Sequence, residues 1–196
     1  MEPIILASSS PRRQEIFKQL NIPFQVKLSP EEEIIPEDME KEKVPEYLAI
    51  NKVKSVEKAY FADREIPWIF GADTMVYLDG ELLGKPADSG EAAKYLERIQ
   101  GRTHKVITGM ALFNGKLMYV SSRTVVTEVT FAPMTKEEID WYVESGEWHG
   151  VAGGYRIQGL ASCFISKIVG TSTNVVGLPI FDLYDMLKEQ GYSFIE

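Results

Sequence analysis

A chain of 196 residues that is 44% hydrophobic has the length and apolar content for one domain with a substantial core. Its formal net charge of -8 excludes general nucleic-acid binding, which needs a broad basic face, but not a small polyanion held by local cations and a metal. One cysteine, Cys163, excludes an intrachain disulfide framework, and its apolar neighbours Ala161, Phe164 and Ile165 predict a buried, inert thiol.

In chain order, Ile4-Ile5-Leu6 reads as a short strand that stops at Ala7 and the serines Ser8, Ser9 and Ser10. Pro11 suits the first turn of a helix, where its missing N–H costs nothing, and Ile16, Phe17 and Leu20 continue that helix at core-facing spacing. Arg12 and Arg13 fall in its first turn. Backbone N–H groups, serine hydroxyls and guanidinium forks thus meet at one helix start, an arrangement that favours a phosphate. The plainer alternative is a serine N-cap followed by solvated arginines. The same polar segment interrupts the only apolar run near the start, so no secretory signal is expected, and no stretch is long enough to span a bilayer. The expectation is a soluble, cytoplasmic protein with no membrane partner.

Pro23 leads into a strand over Phe24 to Leu28, followed by a solvated acidic loop through Glu31, Glu32, Glu33 and Asp38. Val44, Leu48, Val53, Val56 and Tyr60 recur at helical spacing, which predicts a helix from Val44 to Tyr60. Trp68-Ile69-Phe70 reads as a buried strand ending at Gly71-Ala72-Asp73-Thr74, Met75 to Leu78 continues extended, and Asp79-Gly80 is a two-residue hairpin turn into Leu82-Leu83. Ser89 is the expected cap of a helix running to Gln100, with Gly101 as its stop. Two long strands follow, Lys105 to Phe113 and Leu117 to Phe131, joined by Asn114-Gly115 as a tight mirror-image turn. Thr135 and Glu138 form a capping box for a helix ending near Ser145-Gly146. A glycine-rich turn from Gly150 to Gly159 precedes a strand over Leu160 to Val169, and Pro179 to Gln190 closes as a helix with Gly191 in the C′ role. Helices interleave with strands while the two hairpins force antiparallel pairs, so the predicted fold is a single α/β domain, residues 1–196, with a mixed sheet flanked by helices.

The familiar phosphate cradles are absent. No G-x-G-x-x-G opens a helix, and Gly80 to Pro86 is one residue short of a P-loop and ends in proline where a metal-binding Ser or Thr should stand. His104, His149 and Cys163 are too few for a His/Cys zinc site. What remains is carboxylates, amides, lysines and arginines. Asp73 stands where an apolar strand meets a turn, either as a functional group or as an Asx-turn residue. Glu33 lies in the acidic loop, Lys52 on the following helix, and Lys85 after the hairpin. Each taken singly reads as a surface charge. Together, carboxylates able to hold a hard divalent cation and cations able to bind phosphate are the parts of a phosphoanhydride hydrolase.

The run Leu6-Ala7-Ser8-Ser9-Ser10-Pro11-Arg12-Arg13 resembles the opening signature of the Maf proteins. The resemblance continues through Glu32-Glu33, Leu48-Ala49 with Lys52, Gly71-Ala72-Asp73-Thr74, Gly84-Lys85-Pro86, Gly101-Arg102-Thr103-His104, Gly154-Tyr155-x-Ile157-Gln158-Gly159 and Asn174 to Pro179, in the family's order. It implies a Maf and inosine-triphosphatase-like mixed α/β fold with the active site in a cleft, and a metal-dependent nucleoside triphosphate pyrophosphatase using Mg²⁺ or Mn²⁺. It gives Asp73 the role of catalytic base, with Glu33 and Asp73 on the metal. It also places Ser8, Arg12, Arg13, Lys52 and Lys85 on the triphosphate, and Arg12, Thr74 and Gln158 in substrate selection. The Gly-Ala-Asp-Thr and Ile-Gln-Gly wording resembles the branch acting on dTTP and UTP; the branch acting on 7-methyl-GTP has glutamine where Thr74 stands. Arg156, at a usually small position, and Val53, where alanine is customary, depart from the pattern. The family's link to septum formation and division arrest leaves a non-catalytic nucleotide- or protein-binding regulator as the alternative, and homodimerisation stays open.

Overall fold

Apolar runs bounded by turn residues become strands here, and the 3.6-residue patterns become helices. In the computed structural model, which describes residues 1–60 and 67–195, the strands are β1 (Ile4–Leu6), β2 (Phe24–Val26), β3 (Trp68–Leu78), β4 (Glu81–Leu83), β5 (Thr103–Asn114), β6 (Tyr119–Phe131) and β7 (Ile165–Val169). The helices are α1 (Pro11–Gln19), α2 (Val44–Tyr60), α3 (Ser89–Ile99), α4 (Lys136–Glu144), α5 (Ser172–Val176) and α6 (Ile180–Glu189). The sheet order is β2-β1-β3-β5-β6-β7, with β4 paired to β3. β1 runs parallel to β2 and β3, whereas β4 on β3 and β7 on β6 are antiparallel. The class is therefore α/β with a mixed sheet, as the patterning predicts. Among the described residues no helix is long and apolar enough to cross a membrane.

The chain divides into two compact units, Met1–Asp73 with Thr108–Val125 and Gly177–Glu196, and Thr74–Ile107 with Val126–Val176. In the first, Ile5, Ala7 and Ile69 on the sheet pack with Ala49, Val53 and Val56 of α2 and with Ala111 and Phe113 of β5. α6 ends there as a Schellman motif: Gly191, at φ 82°, donates its N–H to the Lys188 carbonyl and Tyr192 donates to Leu187. In the second, Val76, Leu83, Leu96, Ile99, Phe131, Tyr142 and Tyr155 form the core.

Several local expectations change in the structure. β3 does not stop at Gly71 but runs unbroken to Leu78, so Asp73 lies within a strand and is no Asx-turn residue. Asp79 and Gly80, both at positive φ, do make the tight turn into β4. The cap of α3 is Asp88, whose carboxylate accepts the Glu91 N–H at 2.8 Å, and Ser89 is already helical. Asn114-Gly115 forms no two-residue mirror-image turn. The Asn114 side chain instead accepts the N–H groups of Lys116 and Leu117, opening a longer connection in which Met118 carries the positive φ. Leu160–Cys163 is a 3-10 turn and not the start of β7. With three residues per turn, Ala161 and Phe164 point inward while Cys163 is exposed, which corrects the expected buried thiol.

The start of α2 presses on β5 at Gly109, where a Cβ would stand 2.1 Å from Glu46 N and 2.3 Å from Pro45 C. Backbone atoms cannot rotate out of the way. Gly109→Ala is expected to cost about 2 kcal/mol, read as a melting midpoint lower by roughly 4–8 °C. An unchanged midpoint would show that the α2 start moves freely.

Candidate active site

β1 is only three residues long, and the N–H of Ala7 just beyond it donates to the Phe70 carbonyl of β3 at 2.8 Å. β3 then outruns β1, so Asp73 lies past the carboxyl end of its parallel neighbour, the side on which open α/β sheets hold ligands. The chain turns there through Ser8, Ser9 and Ser10 into α1. Ser10 stands at the N-cap, yet its hydroxyl makes no capping bond. Ser8 Oγ instead accepts from Ser10 N at 3.3 Å and from Arg13 Nη1 at 3.1 Å.

Arg13 is not the solvated arginine of the plainer reading. It is buried, and its Nε donates to the Gly177 carbonyl at 2.7 Å. Burial pulls the guanidinium below its ordinary pKa, the charges of Asp73 and Glu33 oppose that, and neighbouring Arg12 adds to it. The cation is thus held in the field of both carboxylates. Arg12, beside it, is partly exposed.

Lys52 joins the same group from α2. At Gly71 a Cβ would lie 2.9 Å from Val53 Cγ2 and 3.1 Å from the Ala49 carbonyl, so a side chain here would have to shift Val53 or push β3 away from α2. The approach carries Lys52 to Asp73: its Nζ donates to Asp73 Oδ1 and stands 3.1 Å from Glu33 Oε1. The Lys52 and Asp73 side chains are only 15% and 16% exposed, against 50% for Glu33 on its loop. The first unit therefore gathers Ser8, Arg12, Arg13, Glu33, Lys52 and Asp73. Sequence patterning marked these six but missed two groups that position them: Gly71, which spaces β3 from α2, and the Gly177 carbonyl, which receives Arg13. Neither carries a side chain that a motif of chemical groups would register.

Among the described residues no three His, Cys, Asp or Glu side chains gather to hold a metal. Glu33 and Asp73 nevertheless converge on a single cationic nitrogen. Two convergent carboxylates suit Mg²⁺ or Mn²⁺, which take one or two carboxylates and fill the remaining shell with water and substrate phosphate. The donor set fits such an ion.

Thr74, Lys85 and Gln158 belong to the second unit. Thr74 is partly buried on β3, next after Asp73 in the chain and pointing to the opposite face of the strand. Lys85 is exposed in the segment after β4. Gln158 is exposed in a turn closed by the Gly159 N–H on the Arg156 carbonyl at 3.1 Å, and its amide makes no hydrogen bond among the described residues.

Comparison with known proteins bears on this arrangement. A family model described as Maf-like protein matches residues 3–190. A protein of Symbiobacterium thermophilum named dTTP/UTP pyrophosphatase is 46% identical over 193 residues, covering 98% of this chain and 96% of its own. Proteins of the same name from Desulforamulus reducens and Pyrococcus furiosus are 42% and 40% identical, covering 100% and 96% of this chain and 100% and 95% of theirs. Among solved structures, the Staphylococcus aureus Ham1 protein aligns with a TM-score of 0.47 at 16% identity, over 67% of this chain and 72% of that one. With the family model spanning nearly its whole length, this chain belongs to the Maf-like protein family.

Proposed function

We propose that the chain is a nucleoside triphosphate pyrophosphatase that hydrolyses dTTP and UTP to the monophosphate and pyrophosphate. The observation that carries the reading is the convergence of Asp73 and Glu33 on Lys52, with buried Arg13 held in the field of both carboxylates. Relatives at 40–46% identity bear the name dTTP/UTP pyrophosphatase, which supports the choice of substrate.

Water attacks the α-phosphorus as the bond from that phosphorus to the α–β bridging oxygen breaks. The electron pair leaves with pyrophosphate, and the water proton passes to Asp73. Charge growing on the leaving group is what cations must answer. Arg12 and Arg13 supply guanidinium donors fixed by their places in α1, and Lys52 and Lys85 supply ammonium groups. Ser8 orients Arg13 through its hydroxyl. A divalent ion held by Glu33 and Asp73 would neutralise phosphate charge and make water a better nucleophile. Thr74, Arg12 and Gln158 are the residues we assign to substrate choice. A primary amide at Gln158 can pair its carbonyl with the N3–H of uracil or thymine and its NH₂ with a ring carbonyl; cytosine, lacking that N3–H, mismatches it.

Incubation of purified protein with UTP or dTTP and Mg²⁺ or Mn²⁺ is expected to yield monophosphate and pyrophosphate, and a chelator to abolish turnover. Appearance of diphosphate and orthophosphate would place the cut at the wrong bond and end this reading. Asp73→Asn keeps the size of the side chain and an acceptor for Lys52 but removes the proton acceptor. It is expected to lower kcat about 10²–10⁴-fold with little change in melting temperature, and wild-type kcat would return Asp73 to a structural role. Gln158→Ala is expected to cut kcat/KM for UTP and dTTP by roughly tenfold to a hundredfold while sparing CTP. Equal losses on all three would remove the residue from base reading.

A further inference from the structure

Gln158 occupies the third position of the Arg156–Gly159 turn, and the second unit braces that turn from several directions. Before it, Tyr155 is 3% exposed and packs edge-on against Phe131 and His104. Its hydroxyl lies 2.7 Å from His104 Nε2, a ring that is itself 2% exposed. Within the turn, the Arg156 N–H donates to the Tyr142 hydroxyl at 3.1 Å. After it, the Leu160 N–H donates to Glu147 Oε2 at 2.9 Å. That carboxylate lies so close over Gly159 that a Cβ there would stand 2.1 Å from Oε2. The amide at the tip, by contrast, is exposed and unpartnered among the described residues.

A solvent-facing loop needs none of this. An apolar pair would fill the space of Tyr155 and His104 without burying two polar rings, and burial pushes the imidazole down to about 4, so it brings no charge at neutral pH. What a buried hydrogen-bonded pair adds is a single geometry. An amide discriminates between uracil and cytosine edges only while its root is held, because a turn that rocks carries the carbonyl and NH₂ out of line with the base edge.

We propose that the Tyr155–His104 pair and Glu147 are positioning residues for base selection, clamping the turn on both sides of Gln158 so that its amide meets a pyrimidine edge in one orientation. The proposal rests on the pyrimidine triphosphatase reading above.

The test compares kcat/KM for UTP and CTP, with melting curves, for the wild type, Gln158→Ala, Tyr155→Phe, Glu147→Ala and Glu147→Gln. Tyr155→Phe deletes one oxygen and keeps the ring, whereas Glu147→Gln keeps a carbonyl acceptor for Leu160. The UTP-to-CTP ratio is expected to fall about fivefold or more in Tyr155→Phe and Glu147→Ala, as an oriented polar contact is blurred. CTP turnover should stay within about twofold of wild type, and Glu147→Gln should recover most of the ratio. A ratio unchanged while both rates or the melting temperature fall together overturns the proposal, since it marks a purely structural clamp. Should Glu147→Ala not fold, Tyr155→Phe decides. A wild type that discriminates through Gln158, with neither clamp variant altering the ratio, sinks the positioning proposal alone. A wild type without triphosphatase activity or without base preference sinks both readings.

Discussion

A strand and a helix ordinarily keep side chains between their backbones. At Gly71 the strand contributes none, and β3 comes to rest against α2 with a Val53 methyl 2.9 Å and the Ala49 carbonyl 3.1 Å from where a Cβ would stand. The rest of the first unit's chemistry depends on this contact. Beside it Lys52, whose neighbour Val53 is fully buried, meets Asp73 beyond the end of β1. An ammonium on a mostly buried side chain needs a counter-charge, and Asp73 and Glu33 both provide one. The same pair of carboxylates that satisfies the lysine is the pair we assign to a divalent cation.

Arg13 completes the arrangement from the other side. A guanidinium has several donors on a rigid fork, and here Nε donates to the Gly177 carbonyl and Nη1 to Ser8. The serine-rich segment is therefore not a passive linker between β1 and α1. Ser8 holds the arginine and the backbone of Ser10 together, which fixes how α1 begins.

The second unit solves a different problem. The side chains of Lys85 and Gln158 are exposed, while Gly153 and Tyr155, in the segment that leads to Gln158, are buried. The Gly153 N–H donates to the Gly84 carbonyl at 2.9 Å, tying the segment that carries Lys85 to the one that leads to Gln158.

The amino-acid order by itself determined the mixed α/β class, the extent of α2, the capping box at Thr135 and Glu138 and the turn at Asp79-Gly80, because each follows from local propensity or a hydrogen bond a few residues away. It also marked Arg13, Glu33, Lys52 and Asp73, which the first unit brings together, since their residue types and chain order form a recognisable set. Tertiary structure decided the rest. β3 runs through Asp73 without a turn, and it packs at Gly71 against Ala49 and Val53 of α2, residues distant in the chain. Asn114-Gly115 opens into a longer connection because the asparagine side chain takes up backbone N–H groups, and its amide donates to the Gln190 carbonyl at 3.2 Å. Cys163 faces outward because a 3-10 turn replaces the extended run that its apolar neighbours suggested. Which lysine meets which carboxylate, and which arginine is buried, are matters of approach between elements distant in the chain, and no local pattern of residues encodes that distance.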